Sequence, residues 1–274
     1  MNSSQWFPVP MLLFVMWSSQ IIAIDPTENE IDHPESRGHP NPKMPASEMP
    51  FEVDILKLIN VSHKDQGVSL VEGPIKNFPA FKFRLPYGNV ALSNSDILTQ
   101  ALNSSKGFTV VFLYRQQKNN LGTLISLNSP GRITPWFQLT SNSKTGILSL
   151  KYRLRKSNKL VQVDWGLPRH HKKSPLAAWV WLSLSIDYQE DLIRLDLDCI
   201  PSSFESIPGK NGSYSRIGVP QDALVYFRQE PGRKKKFLGS IQVAKILPYV
   251  THERLWNCME IGTNISPEFQ KPLV

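Results

Sequence analysis

A chain of 274 residues with 41% hydrophobic, 20% charged and 10% aromatic side chains can bury a core, which excludes a disordered or membrane-dominated protein. The length suits one large all-β domain or two small ones, and one is the expectation. The formal charge is +8.

Met11 to Trp17 is an apolar run of signal-peptide length, followed by small and polar residues up to Ala23. Residues 1–23 are therefore read as a signal peptide cleaved near Ala23. No Lys or Arg precedes the run, and the alternative is a buried apolar segment. No later stretch approaches the ~20 apolar residues of a spanning helix, so no membrane span is expected. Residues 24–50 are rich in Pro, Asn, Ser and acidic side chains and nearly lack large apolar ones, the composition of a disordered leader. That segment carries six acidic and two basic residues, a net −4, and removing it from the whole-chain +8 leaves +12 on residues 51–274.

From Val53 to Ile59 the apolar spacing predicts a short helix closed by Asn60, and a second is predicted from Asp96 to Leu102 with Ser95 as its N-cap. Thereafter the period becomes two. Phe108 to Tyr114 is apolar on both faces, as a covered central strand should be. Short strands are predicted at Thr123 to Leu127, Trp136 to Thr140, Ile147 to Arg155, Lys159 to Asp164, Ala223 to Phe227 and Phe237 to Leu247, mostly separated by Gly, Pro and Asn turns. The clearest pair is a hairpin. Val180, Leu182, Leu184 and Ile186 alternate with Trp181, Ser183 and Ser185. After a polar connection, Ile193, Leu195, Leu197 and Cys199 alternate with Arg194, Asp196 and Asp198 on a half-solvated strand. Many short strands with few helices predict an antiparallel sandwich.

Two further features agree with secretion. Asn-X-Ser sequons stand at Asn60, Asn103, Asn211 and Asn264, each beside turn or polar residues. The only cysteines are Cys199 and Cys258, an even pair for which a single disulfide is the economical reading, the alternative being two free buried thiols. Such a bridge would contribute about 4 kcal/mol by loop-closure entropy.

The run Trp179-Val180-Trp181-Leu182-Ser183-Leu184-Ser185-Ile186, then Leu195-Asp196-Leu197-Asp198-Cys199, then Phe237-Leu238-Gly239-Ser240-Ile241-Gln242, resembles the thrombospondin N-terminal-like domain. This is a branch of the laminin-G-like family found at the head of thrombospondins and fibril-associated collagens. The resemblance covers about Phe51 to Cys258. It implies an all-β antiparallel jelly-roll sandwich over residues 51–260, with one or two short helices near its start and a C-terminal tail at 261–274. It also implies that Cys258 closes a bridge to Cys199. Arg228 departs from the family, which commonly has glycine there, and no collagen repeat, EGF-type cysteine array or heptad follows Cys258. The chain reads as a free-standing domain or a truncated product.

Positive charge is concentrated in Lys151, Arg153, Arg155, Lys156, Arg169, Lys172 and Lys173, and again in Arg233, Lys234, Lys235 and Lys236. If Ile147 to Arg155 is a strand, Lys151, Arg153 and Arg155 share one face. Outside the cell the matching polyanions are sulfated glycosaminoglycans rather than nucleic acid, and heparin binding is a property the resemblance implies. The alternatives are solvated basic loops, or a rim that docks a receptor or matrix protein through Trp136, Trp165, Trp179, Trp181 or Trp256, with Trp181 the more exposed of the Trp179 pair. No nucleotide loop or Gly-x-Ser-x-Gly motif occurs, so neither catalysis nor a cofactor is expected. His170, His171 and His252 are read as solvated rather than zinc-binding. Asp187, Asp191 and Asp222 show no calcium-site spacing, so no metal is expected.

Overall fold

The computed structural model describes residues 52–85, 91–92, 95–167, 179–208 and 216–258. The signal-like segment 1–23, the leader 24–50 and the tail 261–274 lie outside the described residues, as do Asn211, Asn264, Arg169, His170, His171, Lys172 and Lys173.

Two antiparallel sheets form the domain, as the alternating sequence runs require. The larger has eight strands, seven of them in the order β12 (Ser203–Ser206), β11 (Leu192–Leu197), β10 (Val180–Asp187), β5 (Gly107–Gln116), β14 (Gly239–Leu247), β3 (Ala80–Phe83) and β2 (Val68–Val71). The eighth, β1 (Val53–Asp54), pairs with the far end of β14, placing Val53 opposite Ile246. The smaller sheet runs β4 (Ala91–Leu92), β13 (Leu224–Phe227), β6 (Leu121–Asn128), β7 (Phe137–Asn142), β8 (Ile147–Arg153) and β9 (Leu160–Gly166). This is the expected all-β antiparallel sandwich.

The core lies between the sheets. Alternation sends Leu182, Leu184 and Ile186 inward opposite Leu197, Leu195 and Ile193 of the next strand. Aromatic rings meet from opposite sheets: Phe108 of β5 lies edge-on to Phe137 of β7 at 5.7 Å, and Phe83 of β3 to Phe227 of β13 at 6.4 Å. The Tyr114 hydroxyl crosses the same gap to donate to Ser141 Oγ at 3.1 Å, and burial raises its pKa above the normal tyrosine value. Burying a large apolar side chain stabilises by about 1.5–3 kcal/mol, so this interlayer sets the stability of the domain.

The helices are brief. β1 leads into α1 (Ile55–Leu58), whose first turn is capped by the Asp54 carboxylate accepting from Lys57 N at 3.1 Å. Asn60, at φ 48°, then turns the chain out of the helix. Helix α2 (Ser95–Leu102) begins at Ser95 itself, so Ser95 is its first residue rather than the residue before it.

The outer face of the larger sheet is covered, which corrects the half-solvated reading of β11. Val111, Leu113, Trp179, Trp181, Val243 and Trp256 form a second apolar cluster there, and Asp196 is 1% exposed. Two segments make the cover. Gln242 sits at a bulge in β14 and holds the 75–78 loop, donating to Ile75 O at 2.7 Å and Phe78 O at 2.8 Å while accepting from Ile75 N. The chain after β14 folds back until Trp256 lies 5.9 Å from Trp181. Trp181 is therefore as buried as Trp179, and not the exposed member of the pair.

Candidate functional site

The basic residues of β8 take their direction from strand register. Leu148, Leu150 and Tyr152 point into the core, which leaves Ser149, Lys151 and Arg153 on the outer face of the smaller sheet. The strand ends at Arg153. Leu154 bridges to Ile217, and Arg155 lies in the following turn, so the expected row of three is a row of two with Arg155 carried to the rim.

The second basic cluster reaches the same face by a different route. After Phe227 of β13 the chain leaves the sheet, and Glu230 pairs back with Lys234 around a short 3-10 turn at Pro231–Arg233. It then returns beside β6, where Thr123 N donates to Lys235 O at 2.9 Å. The excursion is fastened to the outer face by Gln138 of β7, whose Nε2 donates to Glu230 Oε1 at 3.0 Å. Gln138 is the register partner of Lys151. Lys151 and the Lys234 to Lys236 segment are thus brought to one face. The Arg233 side chain lies outside what the structure describes.

The cations on this surface are not equivalent. Lys235 Nζ is paired with Glu230 Oε1 at 2.7 Å, so part of its charge is neutralised. Arg153 is tied down, with Nε donating to Pro135 O at 3.2 Å and Nη1 to Asn158 O at 2.8 Å, and its guanidinium lies 5.7 Å from the Trp136 ring. Arg155, Lys156 and Lys234 are exposed, while Lys151 is half-buried. Asp164 and Glu230 are the nearby acidic groups, and Gln162 Nε2 donates to both Asp164 oxygens. The arrangement offers exposed lysines and one immobilised guanidinium along the sheet and its rim, which suits an extended anion better than a small enclosed one.

The rim chemistry centres on Trp136, which is half-buried. Its Nε1 donates to Ser129 Oγ at 2.7 Å, and Arg132 and Arg153 lie over its ring at 5.5 and 5.7 Å. Trp165, Trp179, Trp181 and Trp256 are all buried and cannot act as rim anchors. Of the sequons within the described residues, Asn60 is exposed, and Asn103 is exposed while donating through Nδ2 to Val219 O at 3.1 Å.

The cysteines adjoin. Cys199 lies in the turn after β11 rather than on the strand, and both cysteines are exposed, with the two side chains in hydrogen-bond contact. The unpredicted Arg254 explains the approach. It donates to the carbonyls of Asp198 and Ile200, and Trp256 Nε1 also donates to Asp198 O, at 2.7 Å. This clamp holds the chain end against the 198–200 turn. Partial burial of the Cys199 thiol, then the Cys258 neighbour, push its pKa up to about 12. Beside it, burial raises Asp198 to about 6 against the opposing effects of the Trp181 N–H and Arg254.

No family model matches the chain. Among curated proteins it is similar to thrombospondin-2 of Bos taurus, at 26% identity over 191 residues, and to thrombospondin-2 of Homo sapiens, at 25% over 192. Each match takes in 69% of this chain and 15% of that protein. Thrombospondin-1 of Xenopus laevis is 27% identical over 145 residues, covering 50% of this chain and 11% of its own length. The resemblance read from the Trp179 hairpin thus extends over two thirds of the chain, which spans about 15% of the thrombospondin-2 sequences it matches. Among solved structures it is similar to the CBM40 domain of a Ruminococcus gnavus sialidase bound to alpha2,3 sialyllactose, at 14% identity and TM-score 0.48, over 64% of this chain and 91% of that one.

Proposed function

We propose that this domain is a secreted extracellular binding module for sulfated glycosaminoglycans of the heparan sulfate type, and that it performs no catalysis. The observation that carries the reading is the convergence of two basic segments far apart in sequence. Lys151 and Arg153 of β8 share the outer face of the smaller sheet with the Lys234 to Lys236 excursion, joined through Gln138 and Glu230. A net +12 on residues 51–274 supplies the long-range attraction. Arg169, Lys172 and Lys173 belong to the same proposal by sequence, as does Arg233. The similarity to thrombospondins supports an extracellular setting, in which the Cys199–Cys258 bridge and glycans at Asn60, Asn103, Asn211 and Asn264 are also proposed.

Docking of a receptor or matrix protein through rim tryptophans is the less favoured reading, because four of the five candidate anchors are buried. The two readings separate on salt. Polyanion binding at an exposed surface weakens steeply with ionic strength, since charges there are screened over about 8 Å at physiological salt. A salt-gradient heparin column run on the full chain and on a Lys151→Ala/Arg153→Ala/Arg155→Ala variant is the test. Earlier elution of the variant supports the placement, and equal elution contradicts it.

A further inference from the structure

A cleft of about 490 Å³ opens at the end of the sandwich where four chain segments converge. Asn103 follows α2, Trp136 precedes β7, Arg155 follows β8, and residues 218–221 precede β13. The volume lies within the range of small-ligand sites.

The walls are held by specific contacts. Arg155 N donates to Arg216 O at 2.8 Å and Gly218 N to Arg153 O at 3.0 Å, so the 216–218 segment continues β8 laterally. That approach needs glycine, because a Cβ at Gly218 would stand 2.8 Å from Arg155 Cα. Opposite, the Asn103 amide fixes Val219 by its 3.1 Å hydrogen bond. The Trp136 indole is anchored to Ser129 and flanked by the Arg132 and Arg153 guanidiniums.

Three chemical features coincide here. Arg155, an exposed residue lining the cleft, carries a guanidinium whose paired donors suit a planar or tetrahedral anion. Gln221 supplies a carboxamide that can serve hydroxyl groups, while the Asn103 amide already donates to Val219 O. Trp136 supplies an apolar wall for C–H groups. Among the described residues no carboxylate lines the cleft. A neutral apolar ligand would leave the guanidinium without a partner, and a simple anion would not use the Gln221 carboxamide or the indole.

We propose that this cleft recognises a single acidic saccharide unit, bearing a carboxylate or sulfate, with Arg155 pairing the anion. The ligand class rests on the polyanion reading above, since Arg153 links the cleft to the β8 face. The site itself is distinct from that face. A polysaccharide lying along the sheet would place one unit, or its end, in the cleft, adding a residue-specific contact to a diffuse electrostatic one.

The test is calorimetric or NMR titration of the full chain with a sulfated, uronate-bearing heparin disaccharide, with neutral cellobiose as control. All proteins carry Ser105→Ala, which removes the Asn103 sequon while keeping the Asn103 amide. Saturable binding of the acidic disaccharide, absent for cellobiose and weakened about tenfold by Arg155→Gln, is expected. Lys151→Gln/Lys234→Gln should leave disaccharide affinity within about twofold while lowering heparin-column retention. No saturable binding by the parent, or no change in Arg155→Gln, overturns the cleft proposal even if heparin retention persists. Disaccharide binding that survives without heparin retention supports the cleft and contradicts the sheet-face reading instead.

Discussion

At the level of single residues, Asp198 and Arg228 show how this fold accommodates groups that sequence patterning places badly. Asp198 is half-buried beside the C-terminal clamp, and loss of solvent there raises its pKa from 3.8 to about 6. Its folded value exceeds its unfolded one, so its contribution to stability is full below pH 4 and is lost as pH rises through about 6. The difference corresponds to roughly 3 kcal/mol between these limits. Asp198→Asn keeps an acceptor for Trp181 N and removes the half-buried charge. Its stability advantage over the parent, measured by urea denaturation, should be largest at pH 7 and shrink towards pH 4, whereas a gap independent of pH would contradict the assignment. Arg228 occupies a left-handed backbone position at φ 61°, a conformation that glycine adopts without steric cost, in keeping with the glycine that the family resemblance leads one to expect there. Here the side chain compensates: its guanidinium lies 4.0 Å from the centre of the Phe83 ring and Nη1 donates to Phe237 O at 3.0 Å. Arg228→Gly should therefore destabilise by about 1–3 kcal/mol despite relieving the backbone, and a rise in the denaturation midpoint would show that strain outweighs these contacts.

At the level of elements, strands with strict alternation were legible and their coverings were not. The β10–β11 hairpin was readable because Leu182, Leu184 and Ile186 and their partners repeat every second residue. β2, β3, β4 and β12 are two to four residues long, too short to establish a period, and went unpredicted. Burial of Trp181 and Asp196 was illegible for another reason. Trp256 covers the first, while Arg254 and Ser202 approach the second, and such long-range contacts leave no local signal. Arg155 was misplaced because the strand ends two residues early, at Arg153. Entry into β14 depends on Gly239, at φ 146°, where any Cβ would run into the Arg115 carbonyl oxygen. Gly239→Ala should cost about 2–4 kcal/mol in a denaturant titration, and a neutral result would mean that the edge of β5 can yield. The clamp on the 198–200 turn brings the two thiols together, so protein recovered from an oxidising compartment should resist alkylation at Cys199 and Cys258 until reduced. Full labelling of both without reductant would exclude the bridge.

At the scale of the whole molecule, the two outer faces of the sandwich differ in chemistry. The larger sheet spends its outer face on a second apolar cluster and the C-terminal clamp. The smaller sheet leaves Lys151, Arg153 and the Lys234 to Lys236 excursion towards solvent, with the Arg155 cleft at one end. The basic clusters were visible in sequence as charge density, but their meeting was not, because it depends on the register of Lys151 against Gln138 and the reach of Glu230. The central claim is that this face, rather than net charge alone, holds a sulfated polysaccharide. It is tested most directly by comparing heparin-column elution of the parent with that of a Lys151→Gln/Lys234→Gln variant and of a control variant losing two exposed lysines elsewhere, Lys64→Gln/Lys76→Gln. The account predicts that the parent and control elute together above physiological salt and that the face variant elutes distinctly earlier. Equal shifts in the two variants would contradict it.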